Sequence, residues 1–330
     1  MKNRNHGLDI FRIMCCIGVL DYHVMGAALS GAGGGIAYYG KILYYLAAFC
    51  VPGFFLLSGY FLGERDELEM RYVETKVTGI MAKLFGWIIF WTVVHFIRTG
   101  EAFDLWENFT QGAVSGGILP IAWFLFTYCF LLILGYPLYH LRKKCTAFFD
   151  VAVLLWMGAL AAGVGKTGME SRTQALWLHL YIGYFCLGML LSDGMRMINR
   201  TIKRKYLVSA TVCVNVICTA VYLLHVTADR FVLSPNSYYG KWYYSLWLVS
   251  LFCLLSLIRI EHVTLQRFIV RVSSNTLVVY LAPHLPTLYI LSRLPLKSAG
   301  MAVVMIIVFF WCAQILAEGF RKMPLLRKLV

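Results

Sequence analysis

Apolar runs long enough to cross a bilayer recur about ten times along the chain, near residues 8–29, 38–62, 78–98, 116–138, 148–164, 175–192, 207–225, 241–258, 273–292 and 299–318. The connections between them are short, with no long polar linker and no low-complexity tract. This pattern predicts an all-α fold, a polytopic integral membrane bundle of about ten transmembrane helices. A single membrane-embedded domain over residues 1–330 is expected, with no appended soluble domain.

Composition agrees with that reading. Of the 330 residues, 60% are hydrophobic and 14% charged, and the mean hydropathy is +0.71, which excludes an ordinary soluble domain. A formal charge of +14 would suit a nucleic-acid binder, but the basic residues stand in short groups between apolar runs. Bilayer topology accounts for them, and no nucleic-acid partner is expected. With the N-terminus inside, Lys2, Arg4, Arg12, Arg65, Arg71, Lys76, Arg142 to Lys144, Arg196, Arg200, Lys203 to Lys205, Arg259, Arg267, Arg271, Arg321, Lys322, Arg327 and Lys328 all fall on the inner side. The outer side carries only Lys41, Arg98, Lys166, Arg172, Arg230, Lys241, Arg293 and Lys297. That bias sets both termini in the cytoplasm of a multi-pass cell-membrane protein with an even number of spans. No small-residue cleavage site follows the first run, so it is expected to stay as a span rather than leave as a signal peptide. The ten cysteines are scattered through apolar segments without a C-x-x-C pair, the usage of packing residues.

The first run departs from a plain membrane helix. Between Asp9 and His23 it carries Asp9, Arg12, Asp21 and His23, each costly to place in hydrocarbon. Arg12 and His23 are three full turns apart, so they fall within about 20° on one face and about 16 Å apart along the axis. Asp9 lies one turn before Arg12, where it can hold the guanidinium by a charge-assisted bond. Singly, each residue also fits a buried ion pair or a histidine bonded to a neighbouring helix. The whole set on one face points to a functional site.

Other stretches add to it. Val51 to Tyr60 puts a proline kink and the Ser58-Gly59 pair in an apolar helix, where Gly59 admits a neighbouring backbone and Ser58 can bond across the interface. Lys76 and Lys83, before Trp87 and Trp91, form a basic mouth suited to a phosphate, or else snorkel. The loop Ser30 to Gly35 is glycine-rich. On the same side stand Tyr38, Tyr39, Tyr44 and Tyr45, then Tyr238, Tyr239, Trp242, Tyr243 and Tyr244, an interfacial aromatic belt with a sugar-stacking platform as the alternative. His95, His179 and His225 are expected to be structural, since no H-x-x-x-H pair exists for a metal or haem. No glycine-rich phosphate loop follows a strand, and no internal repeat stands out.

The order of these motifs resembles the acyltransferase-3 family of multispanning membrane O-acyltransferases, across nearly the whole chain. The resemblance rests on Leu8-Asp9-x-x-Arg12 followed by ten residues and His23, on Phe54-x-x-Leu57-Ser58-Gly59-Tyr60, and on Trp123-Phe124-Leu125. Tyr280-Leu281 just before His284 and the closing Met323-Pro324-Leu325-Leu326-Arg327-Lys328 complete it. The chain departs from the family pattern at three places. Ile80 stands where the first of a basic pair would fall while Lys83 takes the second, Ile121-Ala122 precede Trp123 where a histidine is common, and Ala282-Pro283 lengthen the Tyr-Leu-x-His pattern.

The resemblance implies an O-acyltransferase that moves an acyl group, usually acetyl, from cytoplasmic acyl-CoA to a hydroxyl of a cell-surface glycan or related acceptor. Acetyl-CoA would then be the donor substrate, with no permanently bound cofactor and no metal, and the lipid bilayer would be the standing partner. It implies that Arg12 and His23 are the essential pair. Chemistry suits that: His23 can deprotonate the acceptor hydroxyl or accept the acyl group transiently, because imidazole titrates near neutral pH. Arg12, oriented by Asp9, would bind the phosphate or thioester end of the donor, with Lys76 and Lys83 extending the phosphate contact. Tyr280 and His284 complete the site if the ninth run packs on the first, and Ser58 and Trp123 are further substrate contacts. The rival expectation is a proton-coupled transporter or flippase of a small molecule or lipid-linked sugar using Arg12, Asp21 and His23. The ordered motifs favour the enzyme, and so does the lack of inverted-repeat similarity.

Overall fold

The computed structural model describes residues 4–31, 37–100, 104–112, 120–163, 178–231, 234–283, 296, 298–324 and 326–330, and among these there is no strand. The glycine-rich loop at 32–35 and His284 lie outside the described residues. Among the described residues helices occupy part of every predicted apolar run, the ninth, 273–292, being described only as far as 283. In order they are α1 (His6–Gly31), α2 (Ala37–Leu46), α3 (Cys50–Gly63), α4 (Met70–Thr99), α5 (Leu105–Gly112), α6 (Trp123–Lys144) and α7 (Thr146–Ala161). There follow α8 (Leu178–Thr201), α9 (Arg204–Ala228), α10 (Trp242–Ser256), α11 (Val263–Ser274), α12 (Thr276–Leu281) and α13 (Ala299–Lys322).

Six helical stretches among the described residues are long and apolar enough to cross a membrane: 6–29, 38–63, 70–99, 123–144, 204–228 and 299–322. Helices α7 and α10 are shorter and also apolar. Large apolar side chains face outward, among them Val216 and Ile217 of α9, Leu155 of α7 and Ile315 of α13. In water such surfaces would aggregate; against lipid tails they are at no disadvantage. The fold is that of an all-α polytopic membrane protein.

Helix α1 is the hub, packed against α2, α3, α10, α11, α12 and α13. The tightest pairing is α3 with α8, and its cause is a set of small residues one turn apart on each helix. A Cβ added at Gly59 would stand 1.8 Å from the Phe185 carbonyl oxygen, one at Gly63 2.5 Å from Ser192 Oγ, and one at Gly188 2.0 Å from the Leu56 carbonyl oxygen. Backbones this close gain dispersion contact, which is what holds helices together where there is no water to exclude.

Pro52 acts differently from a mid-helix kink. It sits in the first turn of α3, directly after a 3-10 turn at Ala47–Phe49. Lacking an N–H, Pro52 leaves the Ala48 carbonyl without its helical partner. The Tyr244 hydroxyl donates to that oxygen at 2.9 Å, and Tyr222 donates to the Tyr45 carbonyl at 3.0 Å. The tyrosines expected in an outer belt therefore serve the interior: Tyr238, Tyr239, Tyr243 and Tyr244 are all buried, and Tyr222 stacks on Trp247 at 4.5 Å between ring centres. Tyr38 and Tyr39 remain exposed. A polar group buried in hydrocarbon must find a partner, and helix-breaking residues supply carbonyls for phenols to meet.

A second buried polar cluster ties α6, α7 and α8. The guanidinium of Arg142, only 5% exposed, donates to Asp193 at 2.9 Å, Ser192 at 3.3 Å and Asp150 at 3.4 Å. Its position among the inner-side basic residues gave no sign of this, because Asp150 and Asp193 stand on other helices, α7 and α8.

Gly59→Ala forces a methyl into the Phe185 carbonyl and is expected to cost about 1–3 kcal/mol, whereas Gly79→Ala meets nothing within 4 Å. Thermal melting of the detergent-solubilised variants should show a lowered midpoint for Gly59→Ala alone.

Candidate active site

Because α1 runs unbroken from His6 to Gly31, Arg12 and His23 keep the common stripe that their spacing dictates. They meet different surroundings. His23 lines a cavity of about 80 Å³ with Val19 and Tyr22 of the same helix, Cys50 and Val51 of α3, Ile121, Trp123 of α6, Tyr181 of α8, Asn236, Tyr239 and Tyr280 of α12. That volume holds a few water molecules. Three of the residues anticipated for the site, His23, Trp123 and Tyr280, thus share one wall although they are far apart in sequence.

The walls are aromatic and fixed. Trp123 stacks on Tyr181 with ring centres 5.8 Å apart, and Tyr22 stacks on Tyr44 at 4.9 Å. Tyr280, 8% exposed, donates its hydroxyl to the Ile121 carbonyl at 2.6 Å. That bond ties α12 to the 3-10 turn leading into α6, where Ile121 and Ala122 stand in place of a polar residue. Tyr280 thereby shapes the cavity instead of offering its proton to it. Asp21 is 9% exposed, and its Oδ2 has no hydrogen-bond partner among the described residues. It is not among the cavity-lining residues.

Arg12 lies at the opposite end of the stripe in a polar knot, where one expectation is corrected. The short bonds of Asp9 do not go to Arg12. Arg4 holds the carboxylate with both arms of its fork, Nε to Oδ2 at 2.6 Å and Nη2 to Oδ1 at 2.8 Å, and this bonding holds the Arg4 guanidinium above its ordinary pKa. Ser273 of α11 donates to Asp9 Oδ1 at 3.0 Å. Arg12 stands 3.8 Å from the same oxygen, donates to Ser273 Oγ at 3.4 Å and lies over the Phe61 ring at 5.3 Å. His6 Nδ1 is a further 3.8 Å neighbour of the carboxylate. The reason is local: Arg4 precedes the helix and its long side chain folds back over the first turn to take both oxygens, whereas Arg12 approaches only Oδ1 and shares that side with Ser273.

Ser58 bonds within its own helix, to the Phe54 carbonyl at 2.7 Å, and also across the interface, as expected, to the Tyr128 hydroxyl of α6. Tyr128 is within electrostatic reach of Arg12, so Ser58 belongs to the Arg12 end of the stripe. Lys83 donates to the main-chain oxygen of Val330, beside Trp87, whose indole N–H donates to the Leu329 carbonyl at 3.2 Å. Lys76 lies 5.7 Å from the Tyr72 ring centre. The two lysines are close enough to feel one another's charge, but neither touches the His23 cavity.

Arg4, Ser273, Tyr181 and Asn236 are the residues that sequence reasoning missed. Arg4 and Asp9 are five apart, outside the helical spacings that signal a pair, and the others reach the site only through packing. Among the described residues no group of three or more His, Cys, Asp or Glu side chains could hold a metal ion.

Comparison with known proteins gives one finding of weight: a family model described as an acyltransferase domain matches residues 5–318, nearly the whole chain. No curated protein and no solved structure matches it.

Tyr280→Phe leaves the buried Ile121 carbonyl without its donor, at an expected cost of about 1–3 kcal/mol. The melting midpoint should fall, while Tyr39→Phe at an exposed ring leaves it unchanged.

Proposed function

The chain belongs to the acyltransferase-3 family, whose acyltransferase domain covers residues 5–318, and from that premise we propose that this membrane acyltransferase is an O-acetyltransferase. It takes acetyl from cytoplasmic acetyl-CoA and delivers it to a hydroxyl of a glycan or related acceptor on the outer side of the cell membrane. In this reading both termini lie in the cytoplasm, which the distribution of lysine and arginine supports. The observation that carries the reading is the stripe on α1: His23 at an aromatic-walled cavity, and Arg12 about 16 Å below it with much of its guanidinium unclaimed.

Each end has a distinct task. A planar cation with several free donors suits the phosphates or the thioester end of the donor. His23 takes the proton of the acceptor hydroxyl as its oxygen attacks the thioester carbonyl; the C–O bond forms, the C–S bond breaks, and the proton passes to the departing thiolate. Trp123, Tyr181 and Tyr239 line the cavity, and aromatic rings are the kind of surface against which a sugar ring packs. Aromatic side chains in that wall also limit the water that could compete for the acetyl group.

Purified protein supplied with radiolabelled acetyl-CoA and a hydroxyl acceptor is expected to transfer label, and His23→Ala to lower the rate at least about 100-fold. Transfer that persists in His23→Ala at the wild-type rate would remove His23 from the chemistry.

A further inference from the structure

A guanidinium locked onto a carboxylate is a poor receptor for a phosphate, and Asp9 sits one turn from Arg12 on the same helix. The conflict is resolved by geometry. Both oxygens of Asp9 are claimed by Arg4, at 2.6 and 2.8 Å, and Ser273 adds a third short bond at 3.0 Å. Arg12, 3.8 Å from the nearer oxygen, makes one long hydrogen bond to Ser273 and rests on Phe61. The side chain of Asp9 is 4% exposed and that of Arg12 29%, so the anion is buried while the cation is partly open at the protein surface.

We propose that Arg4 is a positioning residue that occupies Asp9 and so keeps Arg12 open to the anionic, phosphate-bearing end of a thioester donor. The inference rests on the donor-binding role proposed for Arg12 above. Arg4 is well placed for the task. It stands just outside α1, and its neighbour Asn5 fixes the chain there by donating to the Ser256 carbonyl at 2.8 Å and accepting from the Leu8 amide at 3.2 Å. Ser273 completes the arrangement by giving its proton to Asp9 and its lone pair to Arg12, which holds the two charges apart at one bridging oxygen. Without Arg4, a nearly buried carboxylate would be left with His6 and Arg12, each 3.8 Å away, and Arg12, the one that always carries its charge, would close on it.

The test uses the full-length protein in nanodiscs with free CoA as the probe, read by displacement of labelled acetyl-CoA, alongside KM and kcat for acetyl-CoA. Arg4→Gln is expected to weaken CoA binding and raise KM about tenfold, with kcat held within about twofold. Adding Asp9→Asn to it removes the charge that captures Arg12, so Arg4→Gln/Asp9→Asn should bind CoA almost as the wild type does. Arg4→Lys, which keeps a cation on Asp9, should stay within about threefold of wild type. Unchanged CoA binding in Arg4→Gln overturns the proposal, and so does a double variant as weak as the single one, since Arg4 would then act by direct contact or by anchoring the chain. Arg12→Gln is the separate control: if it binds CoA as tightly as the wild type, the donor-site reading itself fails, whatever Arg4 does.

Discussion

Polar groups at membrane depth must be satisfied by protein or by enclosed water, and α1 carries more of them than any neighbour can answer alone. Asp9, Arg12, Asp21 and His23 on one helix oblige several other helices to converge on it. Ser273 arrives from α11 to serve Asp9 and Arg12, and Asn5 just before α1 grips the end of α10. Cys50 and Val51 of α3, Tyr181 of α8 and Tyr280 of α12 arrive around His23. The costliest helix is the one on which the most other helices pack.

Close packing of the remaining helices follows from small residues and from carbonyls set free. The glycines of α3 and α8 bring two backbones into contact, which leaves α3 rigid behind the cavity. Pro52 then frees a carbonyl that Tyr244 takes, and the tyrosine cluster of α9 and α10 is drawn inward to meet it. A sequence feature that weakens one helix becomes a hydrogen bond between helices.

Separation of the two ends of the α1 stripe gives the protein two environments on one rod. The Arg12 end is charged, partly solvated and lined by Ser58, Tyr128 and Ser273. The His23 end is aromatic and narrow. A group that must pass from a highly charged carrier to a neutral hydroxyl meets those environments in the order its chemistry requires.

Much of this was legible in the residues alone. Runs of apolar residues of bilayer length leave only helices as a solution, because every backbone group must be satisfied within its own segment. The stripe shared by Arg12 and His23 follows from the fixed pitch of a single helix. Gly59 announced a close approach because no side chain stands in the way. What sequence could not decide was partnership between elements. Asp9 looked like the partner of Arg12, and proved to be held by Arg4, because reach and direction of side chains, not spacing, select among competing cations. Tyr238, Tyr239, Tyr243 and Tyr244 looked interfacial and are buried, since amphipathic rings suit both places and only packing chooses. Lys83 looked free for a phosphate and is held by the main chain of Val330. Local geometry is set by backbone dihedrals that neighbours in sequence share; which helix faces which depends on interhelical fit, and that is written in the tertiary structure alone.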